Sequence, residues 1–393
     1  MPQKYKICTK EFKMVLLLVS MCCIFKIRKR LSTKNKETKV AMTRRMVSLK
    51  DISKACGVSV ATVSKALNDH SDIGKETKER IREVAEQLGY RPNAAAQALK
   101  TNRSNNIGVL FVDEANSGLT HDYFNHVLDS FKRTAEENGF DITFINGGKA
   151  RINNMSYLSH AIYRGFDGVM IACVDFSDPE VDELVKSNIP VVTIDHLFYN
   201  RIAVVSDNVS GMKELVKYVY DMGHRKIAYI HGMESSVTQS RLSSFYKTLQ
   251  DLDVEVPDEY VIASPYRDSE SAFVATNKLL NLPDPPTVIF YPDDVASFGG
   301  INAIRQRGLS IPEDVSIVGY DGIELVSRIS PKLTTVVQDT EKIGKMAAMK
   351  LIDLINNPKG TLIEQIVVGG KLEEGQTVKK MAARDSIKEH KII

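Results

Sequence analysis

The chain has 393 residues, of which 43% are apolar and 26% are charged, and its formal net charge is +3. These proportions are typical of a soluble globular protein and exclude the other broad compositional classes, and the length is enough for two or three domains. The charge is uneven: residues 1–45 carry a net +11, residues 46–105 carry +3 and residues 106–393 carry −11. A basic head on an acidic body is the distribution expected of a DNA-binding regulator with a separate ligand core.

The first 45 residues differ from the rest of the chain. Residues 14–25 (MVLLLVSMCCIF) are an apolar run that is too short to span a bilayer as a helix. Basic residues from Lys26 to Arg30 follow it instead of the small residues of a signal-peptide cleavage site. We expect the true start near Met42 or Met46, with the leader an over-extended gene prediction. A disordered basic arm that adds non-specific DNA affinity and a membrane anchor are the alternatives.

Residues 48–68 (SLKDISKACGVSVATVSKALN) predict two short helices joined by a tight turn. Gly57 ends the first helical run, because glycine adopts the positive φ that a sharp turn needs. Ser59 precedes the second run and is a good N-cap. The exposed face of the second helix begins with small side chains, so its N-terminus can approach bases and phosphates in a major groove. We interpret this segment as a helix-turn-helix with residues 60–68 as the recognition helix; a plain helical hairpin is the alternative.

Two further segments complete the N-terminal part of the chain. The spacing of apolar residues predicts a third helix from Lys75 to Leu88, with its apolar stripe in the core. An Ala-rich segment, residues 93–100, follows Pro92 and contains one large apolar side chain, Leu99. The polar residues 100–106 (KTNRSNN) read as a linker to the remaining chain.

The rest of the chain alternates short β-branched runs with amphipathic helices. This pattern predicts parallel sheets covered on both faces, and the number of strands favours two doubly wound lobes. In such folds ligands bind at the carboxyl ends of the strands, so a cleft between the lobes is the expected ligand site. The predicted strands are residues 107–112, 141–145, 168–172, 191–194, 203–206, 226–231, 287–290 and 315–319.

Several motifs make residues 46–381 resemble the LacI/GalR family of bacterial repressors. They are GVSVATVSKALN and LGYRPNAAAQAL near the start, then GHRKIAYIHG, DVSIVGYD, PKLTTVVQD and GGKLEEGQTV. The resemblance implies a small all-α helix-turn-helix headpiece followed by an α/β core of two doubly wound, periplasmic-binding-protein-like lobes. It implies a helix-turn-helix domain at 46–92, a hinge helix and linker at 93–106, a first lobe at 107–206 plus 339–363, a second lobe at 207–338 plus 364–382, and a tail at 383–393. We expect a helix from Asp339 to Asn356 to lie on the first lobe.

The resemblance also assigns the residues that bind DNA. Val60 and Ala61 occupy the family's main base-contacting positions, and Lys65 stands where an arginine is usual. Lysine still donates to a guanine or a phosphate, but not as a planar fork, which leaves the operator sequence open. At the position of Leu99, each subunit of a family dimer wedges a leucine into the minor groove. Apolar side chains inserted in this way unstack a base step. An ordinary packing role for Leu99 is the alternative. The other expected contacts are Ser59, Thr62, Ser64 and Asn68 to phosphates, and Asn93 in the hinge segment.

Six residues are assigned to effector binding in the same way. Arg241 matches the family's ligand-binding arginine, Asp294 the acidic residue of its Asn-Asp motif, and Asp321 the first aspartate of a strand-end pair. Ser244, Asp293 and Gly322 depart from the pattern around them. Arg and Asp form charge-assisted hydrogen bonds to vicinal hydroxyls, and Tyr offers an apolar face to a sugar ring or a base. The remaining effector residues are Tyr123, Asp195 and Tyr266, and inter-lobe salt bridges are the alternative for the charged ones.

Catalytic and metal-binding functions are disfavoured. DEANSG after the first strand is not a phosphate-binding loop, and the five cysteines and eight histidines have no metal-ligand spacing. Unpaired cysteines are typical of a reducing cytoplasm. We therefore predict a cytoplasmic, ligand-responsive transcription regulator without a cofactor or membrane contact, a repressor of carbohydrate-utilisation genes that binds a palindromic DNA operator as a homodimer. A sugar is the expected effector and a nucleoside the second choice; a sugar receptor without a DNA role and a metabolic enzyme on this fold are the alternatives.

Overall fold

The computed structural model describes residues 47–92, 98, 101–112, 118–145 and 155–381. The chain divides into two compact units, Met1–Gln97 and Ala98–Ile393. The leader, the predicted DNA contacts Asn93 and Leu99, and the tail lie outside the described residues. Below, residues 47–92 are the helical unit, and the described residues from 98 onward are the core.

The helical unit contains three helices, α1 (Leu49–Cys56), α2 (Val60–Leu67) and α3 (Lys75–Gln87). Ser48 and Asp51 form a reciprocal capping box at the start of α1, which satisfies backbone donors that have no helical partner. Gly57 ends α1 with φ 66°, the left-handed conformation that the predicted turn requires. The hydrophobic interior of the helical unit is formed by five buried residues from all three helices: Ile52, Val63, Ala66, Ile81 and Ala85.

The core alternates strands and helices along its length. The first part contains β1 (Asn106–Phe111), α4 (Asp122–Glu137), β2 (Asp141–Ile145), α5 (Tyr157–Arg164), β3 (Gly168–Ala172), α6 (Pro179–Lys186), β4 (Val191–Ile194) and β5 (Ile202–Ser206). The second contains α7 (Asn208–Asp221), β6 (Ile227–His231), α8 (Ser236–Asp251), β7 (Val261–Ala263), α9 (Ser269–Leu280), β8 (Val288–Phe290), α10 (Asp294–Gln306), β9 (Ser316–Asp321), α11 (Glu324–Ser327) and β10 (Thr334–Val337). The last contains α12 (Thr340–Asn356), β11 (Gln365–Val368) and β12 (Lys371–Glu373). Short 3-10 turns span Gly118–Thr120 and Asp258–Tyr260.

These strands form two six-stranded sheets. The first sheet has the order β11-β5-β4-β3-β1-β2 and is parallel throughout. The second has the order β12-β10-β9-β8-β6-β7, in which only the β10–β12 pairing is antiparallel. Helices cover both faces of each sheet: α4 and α12 oppose α5 and α6 on the first, and α7 and α8 oppose α9 and α10 on the second. We call each sheet with its helices a lobe. The predicted architecture of a helical headpiece and two doubly wound lobes is confirmed.

The last helix returns to the first lobe, as expected. α12 packs so closely on α4 that a Cβ at Gly344 would lie 2.2 Å from the carbonyl oxygen of Val127. The hydroxyl of Ser130 donates to the carbonyl of Glu341 across this contact at 2.6 Å. Hence α4 and α12 form one packed layer on the first sheet.

One predicted boundary is wrong. The family resemblance predicts residues 364–382 in the second lobe, but β11 pairs in parallel with β5 of the first sheet, with Gln365 opposite Ala203. Only β12 belongs to the second sheet. Ile366 and Val368 pack into the core beneath α12, whereas Val367 is half exposed. A four-residue strand with this alternation fits the edge of either sheet, so its sequence does not specify the partner.

Candidate nucleic-acid interface and effector site

The N-terminus of α2 presents the predicted DNA-binding face. Ser59 caps the helix: its hydroxyl accepts from the backbone N–H of Thr62 at 3.1 Å and lies 2.9 Å from the Thr62 hydroxyl. Val60 is 42% exposed although it is apolar, and Ala61 beside it is exposed. Val63 and Ala66 point into the helical unit. An exposed valine and alanine at a helix N-terminus suit close approach to another surface, because short side chains keep the backbone near it.

Polar residues later on α2 already have partners. Lys65 forms an exposed ion pair with Asp72, and the Asn68 side-chain amide donates to the carbonyl of Ser64 at 2.6 Å. Both Lys65 and Asp72 are about half exposed, so water screens the pair and a phosphate can compete for the lysine. The DNA contacts assigned to these residues stay predictions.

Arg241 lies at the centre of a buried polar cluster in the core. Its side chain is held by α8 and is 3% exposed. Its Nε donates to Oδ1 of Asn208 at 2.7 Å, and one terminal nitrogen donates to the carbonyl of Pro292 at 2.8 Å. The other terminal nitrogen lies 3.7 Å from Oδ1 of Asp321, and the guanidinium stacks 3.6 Å from the ring centroid of Tyr320. Arg241 therefore joins the start of α7 to the carboxyl ends of strands in the second sheet.

The first lobe contributes Tyr123 and Asp195. The hydroxyl of Tyr123, on the first turn of α4, donates to Oδ2 of Asp195 at 2.9 Å and lies 3.2 Å from the hydroxyl of Ser206. The backbone N–H of Ser206 donates to Oδ1 of Asp195 at 2.8 Å. Asp195 adopts a positive φ of 57°, an uncommon backbone conformation that recurs at functional sites.

Two contacts join the lobes across the cleft. The Arg267 guanidinium of the second lobe pairs with Asp122 of the first at 2.9 Å. The hydroxyl of Ser236, at the start of α8, donates to the backbone carbonyl of Asp195 at 2.8 Å. The lobes are thus in direct contact through side chains of both lobes.

Asp294 has both carboxylate oxygens engaged inside the second lobe. It is fully buried, accepting from the hydroxyl of Thr335 at 2.7 Å and from the backbone N–H of Ile323 at 2.9 Å. Asp293 beside it caps α10 through the Ala296 N–H and accepts from the Arg267 N–H at 2.7 Å. These contacts give Asp294 a structural task, and its assignment to effector binding stays a prediction.

Asp321 ends β9 with a φ of 106°, which is strained for a residue with a side chain. The Gln338 side chain donates to its Oδ1 at 2.6 Å. Burial raises the pKa of Asp321 to about 7. Arg241 lowers this pKa, whereas the neighbouring carboxylates of Asp293 and Asp195 raise it. Burial also raises the pKa of Asp195, Asp293 and Asp294. This group of carboxyls outnumbers the guanidinium groups beside it, so the site favours hydrogen-bond donors.

Three buried polar atoms around this cluster have no hydrogen-bond partner among the described residues. They are Oη of Tyr229, Nε of Arg267 and Oε1 of Gln338. Tyr266 also lies here, with its hydroxyl 2.8 Å from that of Thr238. Because buried polar groups in folded proteins are nearly always paired, these atoms indicate a site for a polar ligand.

Two cavities open between the lobes beside the cluster. One, of about 400 Å³, is lined by Tyr123, Asp321 and Gln338, and the other, of about 210 Å³, by Asp195, Ser206 and Asn208. Tyr123, which lines the first cavity, is within hydrogen-bond distance of Asp195 and Ser206, which line the second. Arg241, Tyr266 and Asp294 line neither cavity.

The structure therefore brings five of the six predicted effector residues to one cluster, and Asp294 is the exception. It also adds residues that were not predicted. Tyr320 and Asp293 directly precede predicted residues in the chain, so the motifs that indicated Asp321 and Asp294 could have revealed them. Tyr229 and Gln338 lie within the motifs GHRKIAYIHG and PKLTTVVQD, which gave them no role, and Asn208 lies outside the motifs. The packing of the lobes places all three at the cluster. Among the described residues, no group of histidine, cysteine and acidic side chains could hold a metal ion, and no helix has the length and apolar character needed to cross a membrane.

Comparison with known proteins decides the family. Residues 48–93 match the family description "Bacterial regulatory proteins, lacI family", and residues 216–378 match "Periplasmic binding protein-like domain". The probable HTH-type transcriptional repressor ExuR of Bacillus subtilis is 32% identical over 86% of this chain and 99% of its own length. The chain belongs to the lacI family. It is a DNA-binding transcription regulator, and its helical unit is the family's DNA-binding domain.

Other lacI-family proteins agree in fold. The ribose operon repressor of Haemophilus influenzae is 29% identical over 80% of this chain and 93% of its own length. The lac repressor dimer bound to operator and the anti-inducer ONPF superposes with a TM-score of 0.71, at 24% identity, over 85% of this chain and all of that one. A lacI-family regulator from Enterococcus faecium with bound ribose gives a TM-score of 0.61, at 25% identity, over 70% of this chain and all of that one.

Proposed function

We propose that this protein is a repressor of carbohydrate-utilisation genes that binds a palindromic operator as a homodimer in the cytoplasm, and that a sugar in the cleft changes its operator affinity. The unpartnered Tyr229, Arg267 and Gln338 atoms around the Arg241 cluster carry this proposal. A sugar supplies hydroxyls that donate to an amide oxygen such as Oε1 of Gln338 and accept from arginine and tyrosine, and so could satisfy all three.

The cleft chemistry favours a polyhydroxy ligand. Asp321 and Asp195 accept from hydroxyls, Arg241 donates to them, and Tyr266 and Tyr123 are the aromatic side chains at the same cluster. Ribose in the Enterococcus faecium regulator and the name of the Haemophilus influenzae repressor support a sugar over other polar ligands. The protein acts by binding rather than by catalysis, as relatives named as repressors do.

The operator contacts follow from the exposed start of α2. Val60 and Ala61 contact bases there, and Ser59, Thr62, Ser64, Lys65 and Asn68 contact phosphates. Asn93 and Leu99 contact DNA from the hinge segment, with Leu99 in the minor groove. A two-fold protein requires a two-fold site, so the operator is palindromic, and the lac repressor dimer on its operator supports this assembly.

A thermal-shift screen of the full chain against monosaccharides, disaccharides and nucleosides tests the effector. A sugar at about 100 times its Kd stabilises the folded protein by roughly 2.7 kcal/mol. Arg241→Lys abolishes the shift, whereas Lys247→Ala, a substitution on an exposed part of the same helix, leaves it unchanged. A thermal shift with nucleosides alone would overturn the sugar assignment, and so would the absence of a shift with every compound in the panel.

Selection of duplexes from a random DNA pool tests the operator independently. The enriched duplex is palindromic and binds two chains, and substitution of Val60 changes the selected sequence. Enrichment of sites without two-fold symmetry would contradict the dimer, and the absence of any enriched site would favour a sugar receptor without a DNA role.

A further inference from the structure

The linker into the core is fixed to the first lobe by Arg103. One terminal nitrogen of its guanidinium donates to the carbonyl of Ile355 at 3.0 Å, and the other donates to the side-chain oxygen of Asn356. Both acceptors lie in the last turn of α12, where helix carbonyls lack intrahelical partners. A cation at this position also complements the negative end of the helix dipole.

Asp167 holds the next two linker residues. Its Oδ1 accepts from the backbone N–H and the hydroxyl of Ser104 at 2.9 and 3.2 Å, and its Oδ2 accepts from the N–H of Asn105 at 2.8 Å. The Ser104 hydroxyl in turn accepts from the N–H of Asn106, the first residue of β1. The linker is thus bonded to β1 and the start of β3, and Arg103 is its link to α12.

The other end of α12 begins at the effector cleft. Thr340, its first residue, lines the 400 Å³ cavity, and the N–H of Thr340 donates to the carbonyl of Gln338 at 2.9 Å. Gln338 is bonded to Asp321 of the second lobe through its side chain and, by its N–H, to the Asp321 carbonyl at 3.2 Å. A displacement of Asp321 relative to the first lobe therefore acts directly on the first turn of α12.

α12 is built to move as one body. Its buried residues extend from Ile343 to Ile355, and its 17 residues correspond to a length of about 25 Å. It is packed along α4, whose first residues Asp122 and Tyr123 line the same cavity. A tightly packed helix transmits displacement along its axis rather than absorbing it.

We propose that Arg103 is the positioning residue that couples the effector cleft to the DNA-binding unit, by bonding the linker to the end of the helix that begins at the cleft. The inference rests on the proposed function, in that a ligand in the cleft must alter operator affinity. Movement of Gln338 against Asp321 shifts α12, and Arg103 passes that shift to residues 101–105, which lead back to the DNA-binding unit.

Coupling is reciprocal, so DNA alone can test it without a known effector. The probe is the duplex enriched by the wild-type chain, and the readout is amide hydrogen exchange of the full chain with and without that duplex. In the wild type, the duplex changes exchange at residues 338–344 by about 5-fold or more, the lower end of usual coupling factors. In Arg103→Ala, the chain still binds the duplex, and the change at 338–344 falls below about 2-fold.

Arg225→Ala is the matched control. Arg225 also donates to a carbonyl in the last turn of a helix, that of Tyr220 at 2.8 Å, but this helix is α7 in the second lobe. The same nitrogen donates to the carbonyl of His224, beyond the helix end, at 2.8 Å. The Arg225→Ala variant keeps the wild-type change in hydrogen exchange at residues 338–344. Arg103→Lys restores part of the response, because a cation remains at the helix end without the two-pronged contact.

Asn356→Ala removes the other half of the contact and leaves the linker sequence intact. It weakens the response at residues 338–344 by less than Arg103→Ala does, because the bond from Arg103 to the Ile355 carbonyl remains. A partial loss in Asn356→Ala excludes loss of a direct contact between Arg103 and DNA as the cause. The proposal is overturned by a full response in Arg103→Ala or Asn356→Ala, by an equal loss in Arg225→Ala, or by no response in the wild type. None of these outcomes involves a sugar, so they are distinct from a negative thermal-shift screen.

Discussion

The helical unit and the effector cleft place their functional residues in opposite environments. The DNA-binding face of α2 is exposed and comes from consecutive residues, with the apolar positions Val63 and Ala66 turned inward. The cleft is buried, and its members come from strand ends and helix starts spread from Tyr123 to Gln338. An exposed site depends on one well-capped helix, whereas a buried site depends on the mutual neutralisation of charges. The cleft residues are therefore also determinants of stability, and the following predictions test that difference.

The largest effect is expected at Arg241. Arg241→Met leaves Asp321 and its neighbouring carboxyls without their buried cation, and removing one partner of a buried charge pair costs about 3–5 kcal/mol. Urea unfolding of the full chain, followed by the tyrosine fluorescence of the core, measures the loss. Arg225→Met, at an exposed arginine, is the control and changes little. A loss under about 1 kcal/mol for Arg241→Met would show that the cluster tolerates its own negative charge.

Substitution of Asp294 tests whether its carboxylate stabilises the fold or binds the effector. Asp294→Ala leaves the Thr335 hydroxyl and the Ile323 N–H buried without an acceptor, which costs about 1–3 kcal/mol. Asp284→Ala, at an exposed carboxylate of the same lobe, is the control and unfolds close to the wild type. Unchanged stability of Asp294→Ala, together with loss of the sugar-induced thermal shift, would instead assign Asp294 to the effector.

Asp321 makes the stability of the cleft dependent on pH. Its raised pKa, about 7, means that the folded state keeps a proton that the unfolded state loses above its ordinary value near 3.8. The Asp321 contribution to unfolding free energy thus falls as pH rises from about 4 to 7, with a slope approaching about 1.4 kcal/mol per pH unit, and is constant above that range. The difference between wild type and Asp321→Asn, measured by urea unfolding from pH 4 to 8, isolates this contribution. A difference that does not vary with pH would contradict the raised pKa.

The smallest effect is expected in the helical unit. Ser59→Ala removes the N-cap of α2 and lowers the stability of the helical unit by about 1 kcal/mol. Ser64→Ala, within the same helix, weakens operator binding without a comparable loss of stability. Circular dichroism melting and duplex titration of both variants separate the two effects. Equal melting temperatures for Ser59→Ala and wild type would show that the cap is dispensable.

Much of the fold was predictable because its signals are local. The eight predicted strands all occur, three with identical bounds and five with bounds within two residues, because each is a continuous β-branched run. Four strands were missed: β7, β10, β11 and β12, each of three or four residues. Length alone does not explain this, because β4 and β8 are as short and were predicted. Those two strands are fully buried, whereas β7, β11 and β12 are partly exposed strands at sheet edges. β11 and β12 are strands because a sheet edge was available to pair with them.

The candidate site was predictable in part. Arg241 and Asp321 lie within family motifs and meet in the structure. Tyr229 and Gln338 lie within family motifs that gave them no role, and Asn208 lies outside those motifs. All three reach the cluster by the packing of separate elements. The contrast between Asp293 and Asp294 likewise depends on which backbone donors surround each carboxylate.

The sequence by itself determined the two-part organisation, the helix-turn-helix and the doubly wound core, because caps, glycine turns and apolar periodicity act over a few residues. Tertiary structure alone decided which carboxyls are buried together with raised pKa values, which polar atoms are left for a ligand, and that Arg103 meets the end of α12. These properties depend on burial and on contacts between residues up to 253 positions apart in the chain, and no local pattern encodes either.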